Sequence, residues 1–173
     1  MMMQMLEAGG MEIYSDGLRG ADEGNLRGYY EVERVKSLET EEDTFWLRDV
    51  RGEAIKVISF LLKHLPESLD YSVVFMQRNL DEVLDSQAKL LALRGESSDT
   101  DDTRMRAMFE RHLAGTKRML ATRSCFEVLE VSFNEMLVDV SRNAERVNRF
   151  LGGRLDVERM AAVVSPELYR SRR

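Results

Sequence analysis

Four short apolar runs stand out along an otherwise polar and charged chain: residues 11–15, 54–60, 71–78 and 126–133. The second and third are near-continuous stretches of Ile, Val and Phe rather than alternating ones. That is the pattern of strands buried on both faces of a parallel sheet. Elsewhere the apolar positions recur at helical spacing. The clearest case is 102–123, where Met105, Met108, Phe109, His112, Leu113, Thr116, Met119 and Leu120 predict one packed face. A second helix is predicted from about Ser141, carrying Ala144, Val147, Phe150 and Leu151, with Gly152-Gly153 as its stop. A third opens at Asn79, with Glu82 in capping-box spacing, and runs to about Leu93. A polar loop, 95–100, follows. Strands alternating with helices predict a single α/β domain over 1–173 with a mostly parallel sheet.

The front of the chain breaks this alternation. Met1, Met2, Met5 and Leu6 make one apolar helical face closed by Gly9-Gly10, with no strand before it. Two readings are open: a frayed terminal helix, or a fold without the strand and loop that normally lead into such a helix.

A length of 173 residues suits one domain. The net charge of −6 argues against a general nucleic-acid or membrane-surface binder, although a small anion needs only a few local cations. The lone Cys125 cannot form an internal disulfide and reads as a packing residue in a reducing compartment. No run approaches the roughly 20 apolar residues of a membrane span. The Met-rich opening lacks a basic flank and meets Glu7 at once, so it does not read as a secretory signal. The expectation is a soluble cytoplasmic protein.

Candidate chemistry concentrates on anion binding. Arg78 ends an apolar strand, where open α/β sheets bind ligands, and its planar fork matches phosphate oxygens. Spacings of four and eight carry Glu82 and Ser86 to the same side of the following helix. A solvated arginine with a polar helix serine is the plain alternative. Lys56 interrupts the apolar run Ala54-Ile55-Lys56-Val57-Ile58, an unusual place for a charge unless it acts. His64 reads as a surface or helix-end residue and His112 as a packed one. Two separated histidines and one cysteine make no metal cluster. The chain has neither a Gly-x-Ser-x-Gly elbow nor a Gly-x-x-x-x-Gly-Lys-[Ser/Thr] loop.

The stretch from Tyr71 through Arg78-Asn79 to Ser86 resembles a signature of the sulfotransferase family, in which a buried strand ends in Arg-Asn and a serine follows eight residues after the arginine. Phe133-Asn134-Glu135-Met136-Leu137 and Phe150-Leu151-Gly152 are similar to the family's second half. Asn25-Leu26-Arg27-Gly28-Tyr29-Tyr30-Glu31 resembles an Asn-Pro-Arg-Gly-Tyr-Phe-Glu segment of bacterial members, with Leu26 in place of proline. The resemblance implies a three-layer α/β/α, P-loop-type sulfotransferase fold without its first strand. It implies transfer of a sulfuryl group from 3′-phosphoadenosine-5′-phosphosulfate to a hydroxyl or amine of a small-molecule or carbohydrate acceptor. Arg78 and Ser86 would hold the 3′-phosphate, Phe133 would lie by the adenine, and Arg170 in the basic tail would close the site. A solvated tail is the alternative for Arg170. Lys56 would stabilise the bridging oxygen. Asp16 would take the acceptor's proton, with Asp22 and Glu23 behind it and a turn role as the alternative for Asp16.

The family's Gly/Ser/Thr-rich phosphosulfate loop has no counterpart here, so these 173 residues alone are expected to transfer no sulfuryl group. Open sheet edges are expected to favour self-association. The alternative function is a non-catalytic remnant or a regulatory or interaction module that retains the fold.

Overall fold

Two parallel strands, β1 (Tyr71–Gln77) and β2 (Phe126–Ser132), pair from Tyr71 opposite Phe126 to Gln77 opposite Ser132. They belong to a computed structural model that describes residues 1–18, 29–40, 44–84 and 102–164. The chain is mixed α/β. Before β1 come α1 (Met2–Ala8), α2 (Glu33–Lys36) and 3₁₀ turns at Phe45–Arg48 and Ser59–His64. After it come α3, helical over 80–84, and α4 (Asp102–Thr122). Following β2 are α5 (Phe133–Val138), α6 (Val140–Phe150) and α7 (Val157–Ala162).

Pleating divides the strand side chains between two apolar clusters. Val73 and Phe75 of β1 join Phe126 and Val128 of β2 in a first cluster with Val35, Trp46, Leu62 and Leu120. Val74 and Met76 join Leu129 and Val131 in a second, with Met2, Met5, Leu6, Met136, Ala144, Val147 and Met160. In-register parallel pairing puts paired residues on the same face, so the clusters lie on opposite faces of the sheet. α2, the 3₁₀ turns and α4 serve the first; α1, α5, α6 and α7 serve the second. The second core is rich in methionine, whose flexible thioether fills irregular gaps between short helices.

The three short helices after β2 are each fixed by a side chain at the N-terminus. Ser132 Oγ accepts from Glu135 N–H at 3.3 Å, Asp139 Oδ1 from Arg142 N–H at 3.1 Å, and Asp156 Oδ1 from Arg159 N–H at 3.0 Å. At the other end of the chain, α1 approaches α7 closely. A Cβ on Gly9 would sit 2.7 Å from Met160 Cγ, and the Gly9 carbonyl accepts from Asp156 N–H at 3.0 Å.

Several expectations are corrected. Residues 11–15 and 54–60 do not form full strands. They meet in a single parallel bridge, Ile13 to Ala54, in which Tyr14 N–H donates to the Ala54 carbonyl at 3.0 Å and Ala54 N–H to Glu12 at 2.8 Å. Past Ile58 the chain coils into the 3₁₀ turn, burying Leu61 and Leu62 while Ile58 and Phe60 stay exposed. An apolar run becomes a strand only where a neighbouring backbone continues beside it. Along α4 the apolar stripe is buried at Thr116 and Leu120, whereas Met108 is exposed. Glu82 makes other contacts than the capping box: Asn79 Oδ1 accepts from Asp81 N–H at 2.9 Å, and the Glu82 carboxylate turns to Arg78 and Asn134.

Candidate functional site

The β1–β2 register decides which side chains meet at the sheet's carboxyl end. Gln77 is paired with Ser132, so Arg78 and Phe133 leave the two strands side by side. The Arg78 guanidinium carbon lies 5.1 Å from the centroid of the Phe133 ring, within cation–π range. Arg78 Nε donates to Glu82 Oε2 at 3.1 Å, one helical turn on. Asn134 Nδ2 donates to Glu82 Oε1 at 3.2 Å, so one carboxylate ties together the residues that follow both strands. Glu82 is only 4% exposed, and this pairing is what makes a buried carboxylate tolerable. Nearby, Arg106 forms an ion pair with Asp81. The cluster therefore combines two cations with two carboxylates.

Lys56 sits among the lining residues of the cavity described below. Its Nζ donates to the Tyr29 carbonyl at 2.9 Å, stands 3.4 Å from Glu31 Oε1, and lies 5.8 Å from the Tyr29 ring centroid. Glu31 is shared with Lys36 at 3.6 Å.

Asp16 has a different setting. Its carboxylate accepts the backbone N–H of Glu33, which opens α2, and that of Leu18 at 3.0 Å. These two amides, Glu33 first, hold its carboxyl below the ordinary carboxylate value. Asp16 thus joins a loop to a helix start.

A cavity of about 1520 Å³ opens beside β1. Lys56, Arg78 and Phe133 all line it, together with Tyr29 and Tyr30, whereas Asp16 does not. Three of the residues singled out from the sequence therefore converge on one space. Ser86 and Arg170, like Asp22 and Glu23, fall outside the described residues. Sequence reasoning missed Asn134 as a partner. Its signal was available in hindsight: it follows Phe133 directly and is one of the few amides near a strand end.

His112 stacks on Phe60 with centroids 3.6 Å apart and planes 6° from parallel, and its Nε2 lies 2.9 Å from Ser59 Oγ. Burial, and then the charge of Lys63, hold the imidazole below its usual value. A serine–histidine pair is half of a nucleophile–base arrangement. Among the described residues no carboxylate is bonded to this imidazole, and its stacking fits a packing role. Among the described residues no group of three or more His, Cys, Asp or Glu is placed to hold a metal ion, and no helix is long and apolar enough to cross a membrane.

Compared with models of protein families, with curated proteins and with solved structures, the chain matches none.

Proposed function

We propose that this chain is a sulfotransferase-like domain that holds an adenosine 3′,5′-bisphosphate-type nucleotide at the carboxyl end of β1 and β2. One observation carries the reading: Arg78 and Phe133, each the first residue past a parallel strand, stand 5.1 Å apart at the cavity. A guanidinium suited to phosphate beside a ring suited to adenine is the minimum that such a ligand requires. Glu82 fixes the Nε edge of Arg78 and so orients its fork. Ser86 and Arg170 are assigned to the same 3′-phosphate by the family pattern. The finer architecture, a three-layer α/β/α P-loop-type fold without its first strand, draws support from the apolar clusters on opposite faces of the sheet.

In the complete reaction, 3′-phosphoadenosine-5′-phosphosulfate is the donor and a hydroxyl or amine of a small molecule or carbohydrate is the acceptor. Lys56 is assigned to the charge that develops at the bridging oxygen. Asp16 is assigned to the acceptor's proton; its lowered affinity for protons makes it a weak base, ionised at neutral pH. The 173 residues contain no glycine-rich loop to cradle a phosphosulfate, so alone they bind the nucleotide without turning the donor over.

A second reading, a non-catalytic nucleotide-responsive module, is favoured by the existing engagement of both candidate cations, Arg78 with Glu82 and Lys56 with Glu31 and Tyr29.

Calorimetry tests the shared core of both. Adenosine 3′,5′-bisphosphate should bind more tightly than AMP, and Arg78→Ala should cost about 1.5–3 kcal/mol of that binding. Equal affinity for the two nucleotides would remove the assignment. Acceptor-dependent release of adenosine 3′,5′-bisphosphate from the donor separates enzyme from module.

A further inference from the structure

Among the described residues, Tyr30 is the one residue other than glycine whose backbone lies in the left-handed region, at φ 51°. For a bulky side chain that conformation is an outlier, and it persists only where the surroundings hold it. Here both sides hold. The Tyr30 hydroxyl donates to Glu7 Oε2, on α1, at 2.5 Å. Beyond Tyr30, the Glu31 carbonyl accepts from Ser15 Oγ at 3.4 Å, and Val32 is buried in the first cluster. With the chain after Tyr30 fixed in this way, the φ angle of Tyr30 sets the direction of the planar peptide between Tyr29 and Tyr30. That peptide carries the carbonyl that accepts from Lys56 Nζ at 2.9 Å. Relaxing φ to the ordinary negative range would turn the carbonyl by roughly 110°, off the ammonium. The left-handed backbone of Tyr30 is therefore what aims the Tyr29 carbonyl at Lys56.

The rest of the grip on Lys56 is exchangeable. Its Nζ stands 3.4 Å from Glu31 Oε1, while Glu31 Oε2 already lies 3.6 Å from Lys36 Nζ. Glu31 thus keeps a cation if the Lys56 ammonium turns elsewhere. The third neighbour, the Tyr29 ring at 5.8 Å, belongs to the same turn as the carbonyl. A charged oxyanion is a stronger hydrogen-bond partner for an ammonium than a neutral carbonyl. We propose that residues 29–31 form a strained latch on Lys56, which opens when a sulfate-like oxyanion takes over the ammonium. On opening, the Tyr29 carbonyl turns away, Tyr30 leaves the left-handed region, and Glu31 stays with Lys36. The strain released adds to the anion's affinity, and without an anion the turn keeps the ammonium engaged. Tyr30 is a positioning residue in this arrangement: it touches no ligand and acts through the carbonyl before it. The inference rests on the part of the function proposed above that gives Lys56 a ligand oxygen, and not on the nucleotide site at Arg78.

The test titrates the full chain with inorganic sulfate, with sodium chloride at matched ionic strength as the control. NMR reads the Tyr29 carbonyl and Lys56 ammonium resonances. Both should move with one midpoint under sulfate and stay in place under chloride. Two variants that lack the ring and hydroxyl alike then isolate the strain: Tyr30→Ala keeps the cost of a left-handed backbone, and Tyr30→Gly removes it. Tyr30→Ala should therefore bind sulfate at least about fivefold more tightly than Tyr30→Gly. Tyr30→Phe, which loses only the tether to Glu7, should bind sulfate more tightly than the parent. A packing role for Tyr30 gives no such order. The proposal is overturned if Tyr30→Ala and Tyr30→Gly bind sulfate equally, if the Tyr29 carbonyl stays still while Lys56 responds, or if sulfate acts no differently from chloride. Equal affinity for adenosine 3′,5′-bisphosphate and AMP, with the sulfate response intact, would remove the function proposed above and leave the latch standing.

Discussion

Arg78 and Phe133 are separated by 55 positions in sequence and meet as cation and ring because Gln77 and Ser132, the residues before them, are register partners. A shift of the β2 register by one residue would turn Phe133 to the other face of the sheet and break the pair. The candidate site is thus a consequence of strand pairing rather than of any local motif.

Glu82→Gln separates a ligand arginine from a structural one. The substitution removes the negative charge that now holds Arg78 Nε, while keeping an oxygen for Asn134. It should cost about 1–3 kcal/mol of stability, read from denaturant midpoints. At the same time affinity for adenosine 3′,5′-bisphosphate should tighten by up to about tenfold. Destabilisation with no gain in anion binding would make Arg78 purely structural.

In a form of the protein that carries a phosphosulfate loop, Lys56→Ala should lower turnover by about 10²–10³ with nucleotide affinity nearly unchanged. Equal losses in both would mean that Lys56 serves only to tie Tyr29 and Glu31 to the 54–57 segment. In the same form, Asp16→Asn should abolish turnover if Asp16 is the base. Near-normal activity at neutral pH would assign Asp16 solely to the α2 start.

Gly9→Ala tests the contact between α1 and α7. The added methyl would meet Met160 Cγ at 2.7 Å, in a fully buried side chain with little room to yield. Overpacking of this kind costs about 1–3 kcal/mol, so the melting temperature should fall measurably. An unchanged melting temperature would mean that the methionine core repacks freely.

His112 gives a pH signature. Its value is held down in the folded chain, so between that lowered value and the unfolded one, near 6.5, the unfolded chain binds more protons. Stability from this group is therefore complete above about pH 6.5 and is lost as pH falls towards the folded value. Denaturant midpoints at pH 8 and pH 5 should show a smaller acid loss in His112→Gln than in the parent. Identical profiles would assign the loss to other groups.

The sequence was most informative where one element could be read from its own period. α4 and α6 lie within a residue or two of the bounds expected from their apolar spacing, and Met2, Met5 and Leu6 form the buried face expected of α1. The runs that became β1 and β2 were legible because each is buried on both sides by helices that also come from the sequence pattern. Residues 54–60 carry the same Ile and Val signal, yet a strand is a property of a pair, and pairing stops after Ala54. α5 and α7 are only six residues long, too short for a period to register, and depend on caps such as Asp156 and on packing against Met136 and Met160. At the site, the spacing of four that joins Arg78 to Glu82 was visible in one dimension. The contact of Asn134 with Glu82 required knowing which strand ends lie together.

The division of the interior into two cores has an experimental consequence. Trp46, the chain's single tryptophan, is buried in the first cluster with Tyr14 stacked at 5.8 Å and Arg34 over its ring at 5.3 Å. The single cysteine, Cys125, is buried in the same cluster, and the two clusters share no buried residue. Indole emission and thiol labelling therefore watch one half of the molecule only. Helical circular dichroism sums over both halves, since α4 flanks one core and α1, α5, α6 and α7 the other. A melting curve that is later by ellipticity than by fluorescence would report the methionine-rich half outliving its neighbour, a separation to which indole emission and thiol labelling alone are blind.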